Sequence, residues 1–186
     1  KKAERKTRPA ALLYNTITLH DGNREATADG SSRSAAYDSR AQRLLDELDE
    51  FMDQLERSGR KAIVVFIPEH GAALEGDRMQ IAGMREIPTT GITHVPVGVR
   101  LIGAKAPHPK SPVQIKESTS FLAVAELVSR FIKQSIFDND YIDWQGLTNG
   151  LQKTAVVSEN EGTVMMVYEG VPYVRLDGKN WVRYQQ

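Results

Sequence analysis

Cysteine is missing from this chain, which excludes a disulfide framework, a thiolate nucleophile and a Cys-based zinc site within it. Without thiols the composition is silent on redox compartment. An excess of either charge is also missing: 24 Lys and Arg balance 24 Asp and Glu. The broad positive field of a nucleic-acid binder is therefore lacking, and no DNA or RNA partner is expected. Long apolar runs are missing too. The longest, Ala62–Ile67, falls far short of the roughly 20 residues that span a bilayer. The opening Lys1-Lys2-Ala3-Glu4-Arg5-Lys6 is charged and no apolar stretch follows it, so no signal peptide is read there. No initiating Met is present, and the chain reads as a piece of something longer. No repeat of solenoid length occurs. What is there is ordinary for a globular domain: 186 residues, 40% hydrophobic and 26% charged, enough to bury about 70% of the surface of the unfolded chain.

Hydrophobic periodicity divides the chain. Residues 1–9 read as a linker. Ala10–Leu19 is apolar, then β-branched and alternating, and predicts a strand ending in the turn His20-Asp21-Gly22-Asn23. Arg24–Ala36 predicts a long mobile loop. Tyr37–Ser58 carries Leu44, Leu48, Phe51, Met52 and Leu55 at helical spacing, with Asp38 as N-cap and Gly59 as the stop. Ala62–Ile67 predicts a strand buried on both faces, as in a parallel sheet. Strand, helix, strand is a βαβ unit. A further strand is expected over His94–Ile102, with Pro96 at its start or on an edge. A helix is expected from Ser118 or Thr119 to Gln134 and a helical turn over Trp144–Leu151. Ala155–Ser158, Thr163–Tyr168, Tyr173–Leu176 and Trp181–Tyr184, separated by Gly-containing turns, predict an antiparallel meander. The expectation is an α/β part over 10–150 and an antiparallel β appendage over 151–186.

Glu69-His70-Gly71 falls just beyond the carboxyl end of the 62–67 strand, the edge where open α/β sheets bind ligands. Carboxylate oxygen and imidazole nitrogen suit zinc at about 2.0–2.2 Å, and Gly71 permits the bend that lets both converge. The alternative is a solvated acid beside a locally packed histidine. His20 ends the other strand and shares the same edge if the strands run parallel; the alternative is a turn histidine beside Asp21. Arg85 is either a bidentate phosphate binder or a surface partner of Glu86. His94 reads as buried with its ring bonded to backbone, and His108 as exposed and inert. The charged run Asp46–Glu56 reads as the solvent face of the helix. Tyr168, Tyr173, Trp181 and Tyr184 could stack on a sugar, but packing across strands is the favoured reading.

Taken in order, Leu19-His20-Asp21-Gly22, Tyr37-Asp38 opening a helix, Glu69-His70-Gly71, and Thr93-His94-Val95-Pro96 resemble the C-terminal half of the phosphoethanolamine transferases of the alkaline phosphatase superfamily. The resemblance covers residues 10–102 and rests on the order and spacing of four motifs. Two departures, Glu69 for the usual Asp and Arg85 in a loop where relatives carry a histidine, are similar to the members of that family that act on cellulose. The resemblance implies an alkaline-phosphatase-like αβα sandwich, of which this chain is the C-terminal half, ending in the small meander. It implies zinc-dependent transfer of phosphoethanolamine from a phospholipid, phosphatidylethanolamine, to glucosyl hydroxyls of cellulose, in association with the cellulose synthase complex. By carry-over Glu69 and His70 are zinc ligands, and His20 and Arg85 bind the phosphoryl group or assist the leaving group. The Ser or Thr nucleophile and the remaining zinc ligands are expected outside this chain, which would belong to the periplasmic domain of an inner-membrane protein. Two other readings stay open. One is a metallohydrolase of the same superfamily acting as phosphatase, phosphodiesterase or sulfatase. The other is a non-catalytic module of a polysaccharide-synthesis complex.

Overall fold

The computed structural model of the protein describes residues 9–20 and 33–185. The chain divides into two compact units, Lys1–Leu45 and Asp46–Gln186. In the first, residues 9–17 have no regular secondary structure, and a turn follows in which His20 N–H donates to the Ile17 carbonyl at 3.0 Å. The strand expected over Ala10–Leu19 does not form. Alternation sets which faces a strand would present, but only a neighbouring strand can take up its backbone donors and acceptors. Here Leu12 and Leu13 are 91% and 93% exposed.

Helix α1 spans Arg33–Arg57. It begins earlier than Tyr37 because Ala35 and Ala36 favour helix, so Asp38 lies inside it and is not its N-cap, and 33–36 are helical where a loop was expected. Residues 21–32, which hold the rest of that loop and the Asp21-Gly22-Asn23 turn, lie outside the described residues. Leu44 is buried, with Leu48, Met52 and Leu55 half-buried on the same stripe, while Phe51 and the acidic residues from Asp46 to Glu56 are exposed. Gly59 ends the helix with φ +65°, its N–H donating to the Glu56 carbonyl at 3.1 Å.

In the second unit β1 (Ala62–Phe66) pairs antiparallel with β2 (Gly98–Ile102), Ala62 opposite Ile102 and Phe66 opposite Gly98. Among the described residues no parallel βαβ unit forms. β1 is half-buried along its length and not sealed on both faces. The short helix α2 (Thr90–Thr93) runs up to the expected start of the next strand at His94, and that strand begins only at Gly98. His94 N–H still donates helically to Thr90 at 2.8 Å, and Pro96, which has no donor for a ladder, holds the strand off until Gly98. Ile63, Val99 and Leu101 share one core with Leu127 and Phe131 of α3 (Phe121–Lys133). Phe131 meets Trp144 of α4 (Trp144–Thr148) edge to face, ring centres 6.0 Å apart. The N-cap position of α3 is Ser120, not Ser118 or Thr119. On the opposite face of the sheet Arg100 donates to Glu56 at 2.6 Å.

A four-stranded antiparallel meander forms, β3 (Val157–Asn160), β4 (Thr163–Tyr168), β5 (Val171–Leu176) and β6 (Val182–Arg183). Only β4 keeps its expected bounds. The first two turns need just two residues each, so the ladders of β3 and β5 run into the segments expected as turns, while β6 pairs only at Val182 and Arg183. The three turns of the meander hold Glu161-Gly162, Glu169-Gly170 and Asp177-Gly178, all six residues with positive φ. Positive φ at two successive residues is the type I′ pattern, which favours Asp-Gly and is served at the two Glu-Gly pairs by the glycine. The pairings Ser158 with Met165, Met165 with Val174 and Val174 with Val182 put Ser158, Asn160, Met165, Val174 and Tyr184 on one face, because side chains two apart share a face.

Candidate functional site

β1 ends at Phe66 and Pro68 turns the chain out of the sheet, so Glu69 and His70 follow directly at the strand's carboxyl end. Glu69 is exposed and His70 half-buried. Behind them the backbone is tightly apposed to the α2 segment. Gly71 N–H donates to the Ile92 carbonyl at 2.7 Å, and a Cβ on Gly71 would lie 1.9 Å from the Gly91 oxygen. Glycine is needed at 71 for close approach of two backbones, a stricter demand than the bend expected of it.

The His70 ring is held from both ends. Nδ1 lies 2.6 Å from the Gly71 carbonyl, which can only accept, so Nδ1 carries the proton. Nε2 accepts from Nη1 of Arg85, and a guanidinium can only donate. The two partners specify the same neutral tautomer, with its lone pair on Nε2. The same Nη1 also lies 3.4 Å from Nδ1, but the closer Nε2 contact is the one consistent with the Gly71 bond. A backbone carbonyl on one nitrogen is the usual device that orients the other toward a metal. Arg85 is thus brought to His70 across 15 residues.

Loop 72–88, which carries Arg85, is fixed by side chains that the sequence did not single out. Asp77 Oδ1 accepts from the N–H groups of Met79 and Gln80 at 2.6 and 2.9 Å. The Gln80 amide donates to the Ile87 carbonyl and accepts from the Ile87 N–H, both at 3.1 Å, and so ties together the ends of the 81–86 segment. The meander completes the support. Tyr184 donates its hydroxyl proton to Asp77 Oδ2, Asn160 Nδ2 donates to the Arg85 carbonyl at 3.1 Å, and Ser158 Oγ to the Pro88 carbonyl at 2.8 Å. Ile87, Met165, Val174 and Tyr184 form a second small core. The available signal was Gly76-Asp77, a turn pair, but its partner lies 107 residues away, beyond the reach of any local pattern.

Of the remaining histidines, His20 is exposed and belongs to the first unit. His94 is exposed, its ring bonded to the Ser118 hydroxyl at 3.3 Å; the buried, backbone-bonded reading is corrected, because α2 leaves His94 outside the sheet. His108 is exposed, 3.8 Å from Glu56. Of the meander aromatics, Tyr184 is buried and the Arg175 guanidinium lies over the Trp181 ring at 5.2 Å. Tyr168 is exposed, so packing does not account for it.

Burial alone would raise the Asp77 carboxyl, but the bonds from Tyr184, Met79 and Gln80 outweigh it and hold the group below its usual range. Burial, then the bond to Asp77 and its charge, push the Tyr184 hydroxyl well above its ordinary value. The Asp77 contribution to stability is therefore present above its unfolded value of about 4 and lost as pH falls through the lower folded value. The Tyr184 contribution is present below about pH 10 and lost as pH rises from there through the raised folded value. Melting temperature followed against pH should fall at both extremes, and Tyr184→Phe should flatten the alkaline limb and weaken the acid one. An unchanged alkaline limb in that variant would show that the pair is not formed.

A metal would need more ligands than this segment offers, since no group of three or more His, Cys, Asp or Glu able to hold an ion occurs among the described residues. The sequence matches the family model of the Cellulose biosynthesis protein BcsG C-terminal domain over residues 1–181. The chain belongs to this BcsG family. It is 52% identical over 177 residues to the Cellulose biosynthesis protein BcsG of Escherichia coli and 50% identical over 177 residues to that of Salmonella typhimurium. Each alignment covers 95% of this chain and 31% of the relative, so the chain spans about a third of the length of these BcsG proteins. The BcsG match takes in all four motifs on which the family resemblance rests.

Proposed function

We propose that this chain is the C-terminal part of a zinc-dependent transferase of cellulose biosynthesis, which moves phosphoethanolamine from phosphatidylethanolamine to glucosyl hydroxyls of cellulose. The observation that carries the reading is the approach of the Arg85 guanidinium to His70 at the carboxyl end of β1. An arginine beside a candidate metal ligand supplies fixed positive charge for phosphoryl oxygens, gripped two at a time. The motif order and the BcsG relatives support the substrate class. On this reading the chain is one half of an alkaline-phosphatase-like αβα sandwich in the periplasmic domain of an inner-membrane protein. The part outside this chain supplies the Ser or Thr nucleophile, and the cellulose synthase complex is the partner.

The donors fit zinc by type. Glu69 offers carboxylate oxygen and His70 an Nε2 lone pair, now engaged by Arg85, with its tautomer fixed by the Gly71 carbonyl. They are two of the four ligands of a tetrahedral site, the others coming from outside this segment. When bound, zinc activates an oxygen nucleophile and neutralises phosphoryl charge. Arg85 would leave Nε2 to reach the phosphoryl oxygens. His20 would hold the phosphoryl group or protonate the departing diacylglycerol oxygen. The nucleophile's phosphoryl ester is then attacked by a sugar hydroxyl, which returns the Ser or Thr.

The deciding experiment gives the intact protein phosphatidylethanolamine and cellulose. Phosphoethanolamine should appear on the glucan. Release to water alone, with hydrolysis of simple phosphate esters, would mean a metallohydrolase; no turnover of either would mean a non-catalytic module. A second expectation concerns this chain by itself. With two ligands, half of the coordination shell is left to water, and the advantage of a preformed site is lost. Calorimetric titration should show weak zinc binding, and tight one-to-one binding would mean further ligands within the chain, His20 first among them.

A further inference from the structure

We propose that Tyr184 and Asn160 of the C-terminal meander are positioning residues for Arg85, so that the meander is a support for the phosphoryl-binding loop. The inference rests on the transferase reading of Arg85 and adds to it a role for the last strands of the chain.

The geometry points one way. Strand register places Ser158, Asn160, Met165, Val174 and Tyr184 on one face of the meander, and Ser158, Asn160 and Tyr184 each bond to loop 77–88. Tyr184 holds Asp77 at the loop's first turn. Asn160 holds the carbonyl of Arg85 itself at 3.1 Å, and Ser158 the carbonyl of Pro88 at 2.8 Å. Between these anchors Gln80 is bonded twice to Ile87, and Ile87 is buried against Met165, Val174 and Tyr184. Arg85 is therefore suspended between two fixed points, and its guanidinium can reach His70 without a search over loop conformations. Asn160 lies on β3, at the edge of the sheet. Its side chain is not needed by the strand ladder, and its bond goes to the residue that carries the charge.

The test uses the intact, zinc-loaded protein with phosphatidylethanolamine as donor and a cello-oligosaccharide as acceptor. Tyr184→Phe removes one hydroxyl and keeps the ring in the small core; Asn160→Ser shortens a side chain on an exposed edge and serves if the first variant folds poorly. Each should lower kcat by about tenfold to a hundredfold, the scale of a misplaced reacting group, with KM and zinc content unchanged. Hydrogen exchange over residues 77–88 should quicken. In an Arg85→Ala background neither substitution should lower transfer further. An equal loss in both backgrounds, or no loss in the single variants, overturns the proposal while leaving the transferase reading intact. An Arg85→Ala protein as active as wild type overturns that reading of Arg85, and the proposal with it.

Discussion

Arg85→Ala in the intact protein is expected to lower transfer about 10²–10³-fold, the loss seen when one preorganised donor is removed from an electrostatic site, while zinc content stays near that of wild type. Arginine is protonated at any relevant pH and cannot ligate a metal. Its removal also frees the Nε2 lone pair of His70, which Arg85 now occupies, so the variant lacks that competitor for the nitrogen. Arg85→Lys should recover only part of the rate, because a point charge does not reproduce a planar fork on two oxygens. His70→Ala should behave differently and lose zinc and transfer together. The measurement is kcat/KM beside metal analysis on the same preparations. Arg85→Ala with transfer near wild type, or with zinc lost in step with activity, would sink the assignment of Arg85 to the phosphoryl group.

How much of this was legible in the sequence depended on whether the cause was local. The meander was readable almost strand by strand, because three acid-Gly pairs mark its turns and β-branched runs fill the intervals. The helices α1 and α3 were readable because their apolar positions repeat at helical spacing. The placement of Glu69 and His70 was readable because Pro68 ends an apolar strand. What failed was pairing. Val64 and Ile67 look the same in a parallel and an antiparallel neighbour, and the partner of β1 is supplied by residues 98–102, far along the chain. The 10–19 segment failed for the same reason, since its alternation specifies faces and cannot supply an edge. At the site, Arg85 could be nominated as a phosphate binder, but its approach to His70 could not, because loop 77–88 takes its shape from Tyr184 and Asn160. Those contacts span 107 and 75 residues, and single-chain periodicity carries no information at that range.

Gly71→Ala is expected to damage the site through its scaffold. The new Cβ would stand 1.9 Å from the Gly91 oxygen and 3.0 Å from its carbonyl carbon. Both are main-chain atoms, so no side chain can rotate away, and the 67–71 and 89–93 segments must part. Parting them breaks the 2.7 Å bond from Gly71 to Ile92 and tilts the Gly71 carbonyl that fixes the His70 ring at 2.6 Å. Overpacking of this kind costs about 1–3 kcal/mol. Gly83 is the matched control in the same region. It has φ +84°, and a Cβ added there would meet nothing within 4 Å. Gly83→Ala therefore meets only left-handed backbone strain, about 1–2 kcal/mol, and leaves the Gly71 carbonyl bond to His70 in place. Thermal melts and zinc titrations of both variants in the intact protein separate the two causes. Gly71→Ala should weaken zinc binding and transfer as well as stability, whereas Gly83→Ala should lower stability with zinc affinity unchanged. Equal zinc affinity in the two variants would mean that the Gly71 carbonyl does not orient His70, and that the close approach at Gly91 serves the fold alone.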